Sequence, residues 1–169
     1  MVRLVQLRSI ASLALQLAIL GALIAAFFVR MPQVSGLSMA PHISSGEYVV
    51  INTLAYRFAT PARGDIVAFR HTADAPEVYI KRVIGLPGDR IRIDGGIVYV
   101  NGAKLDEPYV HFHDDRSFPE VTVPAESVYV LGDNRANSED SRFFGPVADR
   151  DLTGRALMGI WPLSDLGRL

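Results

Sequence analysis

Residues 90–101 read Arg90-Ile-Arg-Ile-Asp-Gly-Gly-Ile-Val-Tyr-Val-Asn101. Charged and apolar side chains alternate from Arg90 to Asp94, the period of a strand with one face buried. Asp94-Gly95-Gly96 then sits between two such runs. Glycine takes positive φ without penalty, so these residues predict a hairpin turn. Asn101-Gly102 is a second turn signal. A hairpin here makes its two strands antiparallel, and the surrounding chain has the same texture. Tyr48–Asn52, Asp65–Phe69, Val78–Ile84, Ile97–Asn101 and Ser127–Leu131 are short and β-branched or aromatic. Pro61 to Gly64 and Pro87-Gly88 punctuate them. Thr53–Phe58 allows one short helical turn, and no segment after Arg30 sustains a helical period. The reading is a mainly β domain, an antiparallel sheet or barrel-like arrangement over residues 30–169. The polar, turn-rich run from His111 to Glu120 reads as an exposed loop.

Residues 9–29, Ser-Ile-Ala-Ser-Leu-Ala-Leu-Gln-Leu-Ala-Ile-Leu-Gly-Ala-Leu-Ile-Ala-Ala-Phe-Phe-Val, have the opposite character. They carry no charge and one amide, Gln16. As a helix they would span roughly 30 Å, the thickness of a bilayer core. Lipid leaves backbone groups no outside partner, so a helix is the form expected. A cleaved leader also has a basic start and an apolar run. The length of this run, and the lack of a small-x-small cleavage site before Arg30, favour a retained transmembrane anchor. Arg3 and Arg8 precede it and Arg30 follows, a bias that places residues 1–8 in the cytoplasm and the domain outside.

The chain has 169 residues, with 17 basic and 18 acidic side chains and a net charge of -1. No basic excess points to nucleic acid. There is no cysteine, which excludes disulfides, thiolate metal sites and thiol catalysis. His111-x-His113 on a strand would place two rings on one face, but no third metal ligand stands at a suitable spacing, so neither metal nor cofactor is expected.

Ser38, in Ser35-Gly-Leu-Ser-Met-Ala-Pro41, lies eight residues past Arg30. Eight extended residues reach at most about 28 Å, so this hydroxyl sits close to any membrane surface. A nucleophilic serine needs a base. None of the four histidines has a triad context. The two lysines are Lys81 and Lys104. Lys104 follows a turn and reads as a surface charge, whereas Lys81 lies inside the apolar run Val78–Ile84. The pattern allows two arrangements for Lys81: a buried base with a lowered pKa, or an edge-strand lysine facing water. A third polar stretch, Gly132 to Val147, lies between the apolar Val128–Leu131 and Phe143-Phe144. Polar groups so placed usually pair with one another.

Three boxes together resemble the bacterial type I signal peptidases, membrane-anchored serine–lysine proteases that remove signal peptides from exported proteins. They are Gly36-Leu-Ser-Met-Ala-Pro41, Tyr79-Ile-Lys-Arg-Val-Ile-Gly-Leu-Pro-Gly-Asp89 and Gly132-Asp-Asn-Arg-Ala-Asn-Ser-Glu-Asp-Ser-Arg142 with its continuation to Val147. They occur in the family's order and, with the anchor, cover most of the chain, as in the short single-anchor members. The resemblance implies Ser38 as nucleophile and Lys81 as general base. It implies that Ser138 orients the lysine, and that Asp140–Arg142 and Asp133–Arg82 are supporting ion pairs. Val34, Met39, Ile43, Tyr79 and Ile80 would line shallow pockets selecting an Ala-x-Ala pattern. The Ser38 backbone N–H would be one oxyanion donor. Gly36 stands where some members carry a serine that supplies the second, so that donor is left open. His42 stands where threonine is common. Partners implied are signal-peptide-bearing pre-proteins and the lipid bilayer, at a bacterial cytoplasmic membrane with the domain on its outer side. Oligomeric state is left open. Alternatives with the same residues are a specialised pilin or conjugation-protein peptidase and an inactive membrane-bound binding module. The anchor and the lack of a DNA-binding segment disfavour a self-cleaving repressor.

Overall fold

The computed structural model describes residues 2–71 and 77–161, so the last residues of the expected domain, 162–169, and the segment 72–76 lie outside the described residues. The elements in order are α1 (Val2–Phe28), β1 (Val29–Arg30), β2 (Tyr48–Asn52), α2 (Ala55–Phe58), β3 (Ile66–Phe69), β4 (Tyr79–Gly85), β5 (Arg90–Asp94), β6 (Ile97–Val100), β7 (Ala103–Lys104), β8 (Phe118–Thr122), β9 (Ser127–Leu131), α3 (Ser141–Phe144), β10 (Val147–Ala148) and β11 (Leu152–Trp161).

The strands form two sheets. The larger has the order β1-β2-β11-β3-β4-β9-β10 and the smaller β7-β6-β5-β8. Every strand pair is antiparallel. The predicted hairpin is present: Asp94 faces Ile97, and Gly95 and Gly96 have φ of 53° and 78°. Two positive φ values in a row are what a type I′ turn requires.

Apolar side chains fill three clusters. Met39, Ile43, Val49, Ile51, Ile66, Ala68, Ile80 and Ala156 make the first, with Val34 packed against it. A second joins the two sheets through Ile84, Tyr129 and Leu131 from the larger and Ile91, Ile93 and Val98 from the smaller. The third lies around Val67, Phe69, Val83 and Val130. Each fully buried Val, Ile or Phe side chain contributes about 1.5–3 kcal/mol, so the clusters outweigh any single polar contact described below. Alternation along β3 and β4 sends Ala68 and Ile80 to the first cluster and Val67, Phe69 and Val83 to the third.

Two readings of the sequence need correction. The run His111–Glu120 is not one exposed loop. Its end belongs to β8, which pairs with β5 at the edge of the smaller sheet, where Pro119 is tolerated because an edge strand can lack a donor. Its middle is tied down as well, since Gly96 N–H donates to Arg116 O and Gly95 N–H to Ser117 Oγ.

The expected membrane span is met in part. Residues 2–28 form one α-helix. Its side chains are described without a break from Ile10 to Leu23, about 21 Å of helix, and among the described residues no helix is long and apolar enough to cross a membrane. The described residues of α1 present their apolar side chains outward, with Ile10, Leu13, Leu15, Leu17, Ile19, Leu20 and Leu23 all exposed. The helix meets the β domain at its end, where Thr53 donates to Phe28 O through both its N–H and its hydroxyl.

Candidate active site

Ser38 lies in a turn after α1 that is folded back on the start of β2. Val34 N–H donates to Glu47 O, Gly46 N–H to Val34 O, and Val49 N–H to Pro32 O. Met39 and Ile43, one and five residues on, are buried in the first cluster and hold the turn down. Gly36 has φ of 103°, a conformation that glycine adopts freely and serine does not. The backbone here thus suits glycine at the position where some relatives are expected to carry a serine.

Lys81 stands near the middle of β4, between β3 and β9, with Val67 opposite it. It is 3 % exposed, which excludes the edge-strand arrangement. Its Nζ donates to Ser38 Oγ at 2.7 Å. Burial pushes the ammonium down to about 8, against the attraction of Asp140, Glu139 and Asp133. The Tyr79 ring lies 5.6 Å from Nζ.

The third box closes over the dyad from the other side. Asn134 N–H donates to Ser38 O at 2.9 Å, which docks the box onto the serine turn. Gly132 makes this approach possible: a Cβ there would lie 2.5 Å from Ser38 O and 2.3 Å from Ser138 Oγ. Asp140 accepts from Gly132 N–H and, through both carboxylate oxygens, from the Arg142 guanidinium at 2.8 and 2.9 Å. Arg82 makes the same two-pronged contact with Asp133 at 2.8 and 2.6 Å. Burial alone would lower the Arg82 pKa; the hydrogen bonds and charge of Asp133 outweigh it and raise it. Both expected ion pairs are thus formed, in geometry that fixes two planar groups at once.

Ser138 Oγ is buried and has no hydrogen-bond partner among the described residues, so the expected bond from Ser138 to Lys81 is not formed. Its place against Gly132 nevertheless puts it in the box that closes on Ser38. The Ser38 N–H donates to no group among the described residues and is free for an oxyanion. Of the five expected pocket residues, Val34, Met39, Ile43 and Ile80 share the first cluster, whereas Tyr79 packs in the third, its ring 5.8 Å from that of Phe69. Tyr79 therefore sits on the alternate row of β4, with Lys81 rather than with Ile80. His42 Nδ1 lies 3.7 Å from Asp133 Oδ2, and its ring is 5.8 Å from that of His111. Among the described residues no group of three or more His, Asp or Glu is placed so as to hold an ion.

Two residues escaped the sequence reading. Asp114 accepts from Arg142 NH1 at 2.7 Å and from Arg116 Nε. Glu107 accepts from both terminal nitrogens of Arg135, at 3.1 and 2.5 Å, while Arg135 Nε donates to Gly132 O. Nothing at either position marks it locally. Arg142 and Arg135 each lie 28 residues away in sequence.

Chemically, a buried amine of lowered pKa within hydrogen-bond reach of a serine hydroxyl has the geometry a base needs to take that hydroxyl's proton. The chain as a whole is similar to known proteins. The family model described as "Signal peptidase, peptidase S26" matches residues 7–161. A protein named signal peptidase I from Leptolyngbya laminosa is 40% identical over 139 residues, covering 78% of this chain and 68% of that protein. Signal peptidase I of Bacillus caldolyticus is 42% identical over 143 residues, covering 76% and 78%. A crystal structure of a signal peptidase I from Enterococcus faecalis V583 superposes with a TM-score of 0.50 at 33% identity, covering 57% of this chain and 97% of that one.

Proposed function

The chain belongs to the signal peptidase family of S26 peptidases, enzymes that cleave signal peptides, and from that premise we propose that Ser38 and Lys81 carry the reaction. The observation behind this reading is the 2.7 Å contact from Nζ to Oγ, made by a lysine that is 3 % exposed. Neutral Lys81 accepts the Ser38 proton as Oγ bonds to the scissile carbonyl carbon. The negative charge that develops on the carbonyl oxygen meets the free Ser38 N–H. Lys81 then returns the proton to the departing amine, leaving an acyl-enzyme on Ser38. A water, deprotonated by Lys81, releases the new carboxylate.

Asp133–Arg82 and Asp140–Arg142 act as supports that hold the third box against the dyad, and Ser138 orients the lysine amine once substrate is bound. Val34, Met39, Ile43 and Ile80 back the pockets for small side chains before the cleaved bond, with Tyr79 bordering the lysine. A floor of three buried side chains and the half-buried Val34 leaves room for alanine and excludes bulk, which supports an Ala-x-Ala preference. α1 is the anchor, with residues 1–8 in the cytoplasm and the β domain outside a bacterial membrane. The uncharged run of residues 9–29 and the outward apolar side chains of α1 support this placement.

Replacement of Ser38 by Ala, and of Lys81 by Ala, should each abolish cleavage of a pre-protein while circular dichroism and thermal melting report an intact domain. Full activity of the Lys81→Ala protein would end the dyad assignment.

A further inference from the structure

The arginines of this chain are not evenly partnered. Among the twelve whose side chains are described, eight pair with a carboxylate: Arg63, Arg82, Arg90, Arg92, Arg116, Arg135, Arg142 and Arg155. Arg30, Arg57, Arg70 and Arg150 have no such partner among the described residues. Three of these four, Arg30, Arg57 and Arg70, line a single cleft of about 870 Å³. That volume is within the range of small-molecule sites. One acid, Asp149, shares the lining. Burial and the neighbouring Glu126 push its carboxyl up. Three arginines line this one concavity and, like Arg150 outside it, pair with no carboxylate among the described residues; together they suit an anion with several oxygens, and phosphate fits the guanidinium fork best.

Beside Thr53, Tyr56 and Thr153, the rest of the lining is largely apolar. It includes Phe28 at the end of α1, together with Met31, Leu54 and Leu152. Met31 is 56% exposed, and Phe58, next to Arg57, is 86% exposed. The cleft therefore opens at the foot of the apolar helix, with cationic groups and exposed apolar groups side by side. A soluble phosphate would use only the first kind; an amphiphile uses both. We propose that this cleft binds the phosphate headgroup of an anionic lipid, its acyl chains lying along α1. The proposal rests on α1 being the bilayer anchor. A lipid held there would fix the rotation of the β domain about the anchor and so the direction in which the dyad faces the bilayer.

The test uses the full chain in detergent, offered equal amounts of phosphatidylglycerol and phosphatidylcholine with identical acyl chains, with retained lipid read by native mass spectrometry. Wild type should retain phosphatidylglycerol in about tenfold preference. The triple variant Arg30→Gln/Arg57→Gln/Arg70→Gln should lose that preference. Arg90→Gln/Arg92→Gln, which removes two exposed arginines elsewhere, should keep it. Acylation of Ser38 by a serine-directed probe should be equal in all three proteins, which reports folding and leaves the dyad assignment separately testable. Unchanged preference in the triple variant would overturn the proposal. Loss of the preference on adding millimolar inorganic phosphate would reassign the cleft to a soluble anion. Equal retention of both lipids by wild type would sink the cleft and spare the anchor, and retention of neither would sink both.

Discussion

An ammonium buried as deeply as that of Lys81 gives up its hydration, and the fold returns only one neutral hydroxyl and distant carboxylates. The sign of the consequence follows from linkage. With a folded pKa of about 8 and an ordinary lysine value of 10.5, the unfolded chain holds more protons between those limits, so stability rises with pH across that window. Below pH 8 the lysine is protonated in both states, and the folded state carries the full penalty, on the order of 3 kcal/mol. Lys81→Met removes the penalty along with the contact to Ser38. It should raise stability at pH 7 by about 1–3 kcal/mol and abolish cleavage, and the gain should shrink by pH 10.5. Urea titrations at the two pH values measure this; a Met variant less stable than wild type at pH 7 would refute the buried-ammonium account. The same pKa sets the acid limb of activity. The base works neutral, so kcat/KM should climb about tenfold per unit up to roughly pH 8 and then level off. Lys81 drew notice in the sequence because a lysine is out of place in a β-branched strand, whereas Ser38 stood out only through the resemblance of the three boxes. What the strand pattern left open was edge against interior, and that depended on β3 and β9 lying on either side of β4.

The β5–β6 hairpin reaches the dyad through a relay of contacts. A Cβ on Gly96 would lie 2.4 Å from Asp114 O, so the hairpin tip and the segment carrying Asp114 are in close contact. Asp114, with its side chain 9% exposed, holds one terminal nitrogen of Arg142, whose own side chain is 2% exposed; the remaining nitrogens go to Asp140, Arg135 O and Ser138 O. Hydrogen bonds from Arg116, acting against burial, hold the Asp114 carboxyl below its ordinary range, so it is ionised where the enzyme works. Asp114→Asn would leave the Arg142 charge less compensated, and that charge already lowers the Lys81 pKa. The acid limb should therefore move to lower pH, while the loosened box lowers kcat by about 10- to 100-fold. A variant that melts earlier but keeps its limb in place would reduce Asp114 to a structural role. The hairpin itself was plain from Arg90–Asn101, since its alternation and turn glycines are local. β11 was not, although it lies between β2 and β3. Its glycines weaken any strand pattern, and the structure gives them a use: a Cβ on Gly154 would lie 2.5 Å from Asn52 O, and the register with both neighbours shifts along the strand. Asp114 and Glu107 were illegible for another reason. Arg142 and Arg135 lie 28 residues further along the chain, in the third box, and no local spacing encodes those pairings.

At the scale of the whole molecule, the β domain and α1 depend on each other very little for folding. Among the described residues, the three clusters are built from residues between Val34 and Ala156 and include none of α1. The helix is joined to the domain by the Thr53–Phe28 bonds and by the short β1–β2 pairing, in which Val29 faces Asn52. A chain beginning at Val29 keeps β1 and every cluster. It should fold, melt within a few degrees of the full chain, and cleave a short soluble peptide with kcat/KM within about threefold. On a precursor embedded in vesicles the outcome should differ. Enzyme and substrate in one bilayer meet at an effective concentration that a soluble domain reaches only in the millimolar range, and the turn back at Pro32–Val49 keeps Ser38 close to the exit of the helix. The truncated protein should therefore lose most of its activity on the embedded precursor at micromolar enzyme and regain it as its concentration rises. Assaying both substrates in parallel separates the two effects. Equal loss on peptide and vesicle would mean that α1 supports the fold. Equal activity on both would mean that the helix does nothing for encounter, and the anchor reading would fall with it.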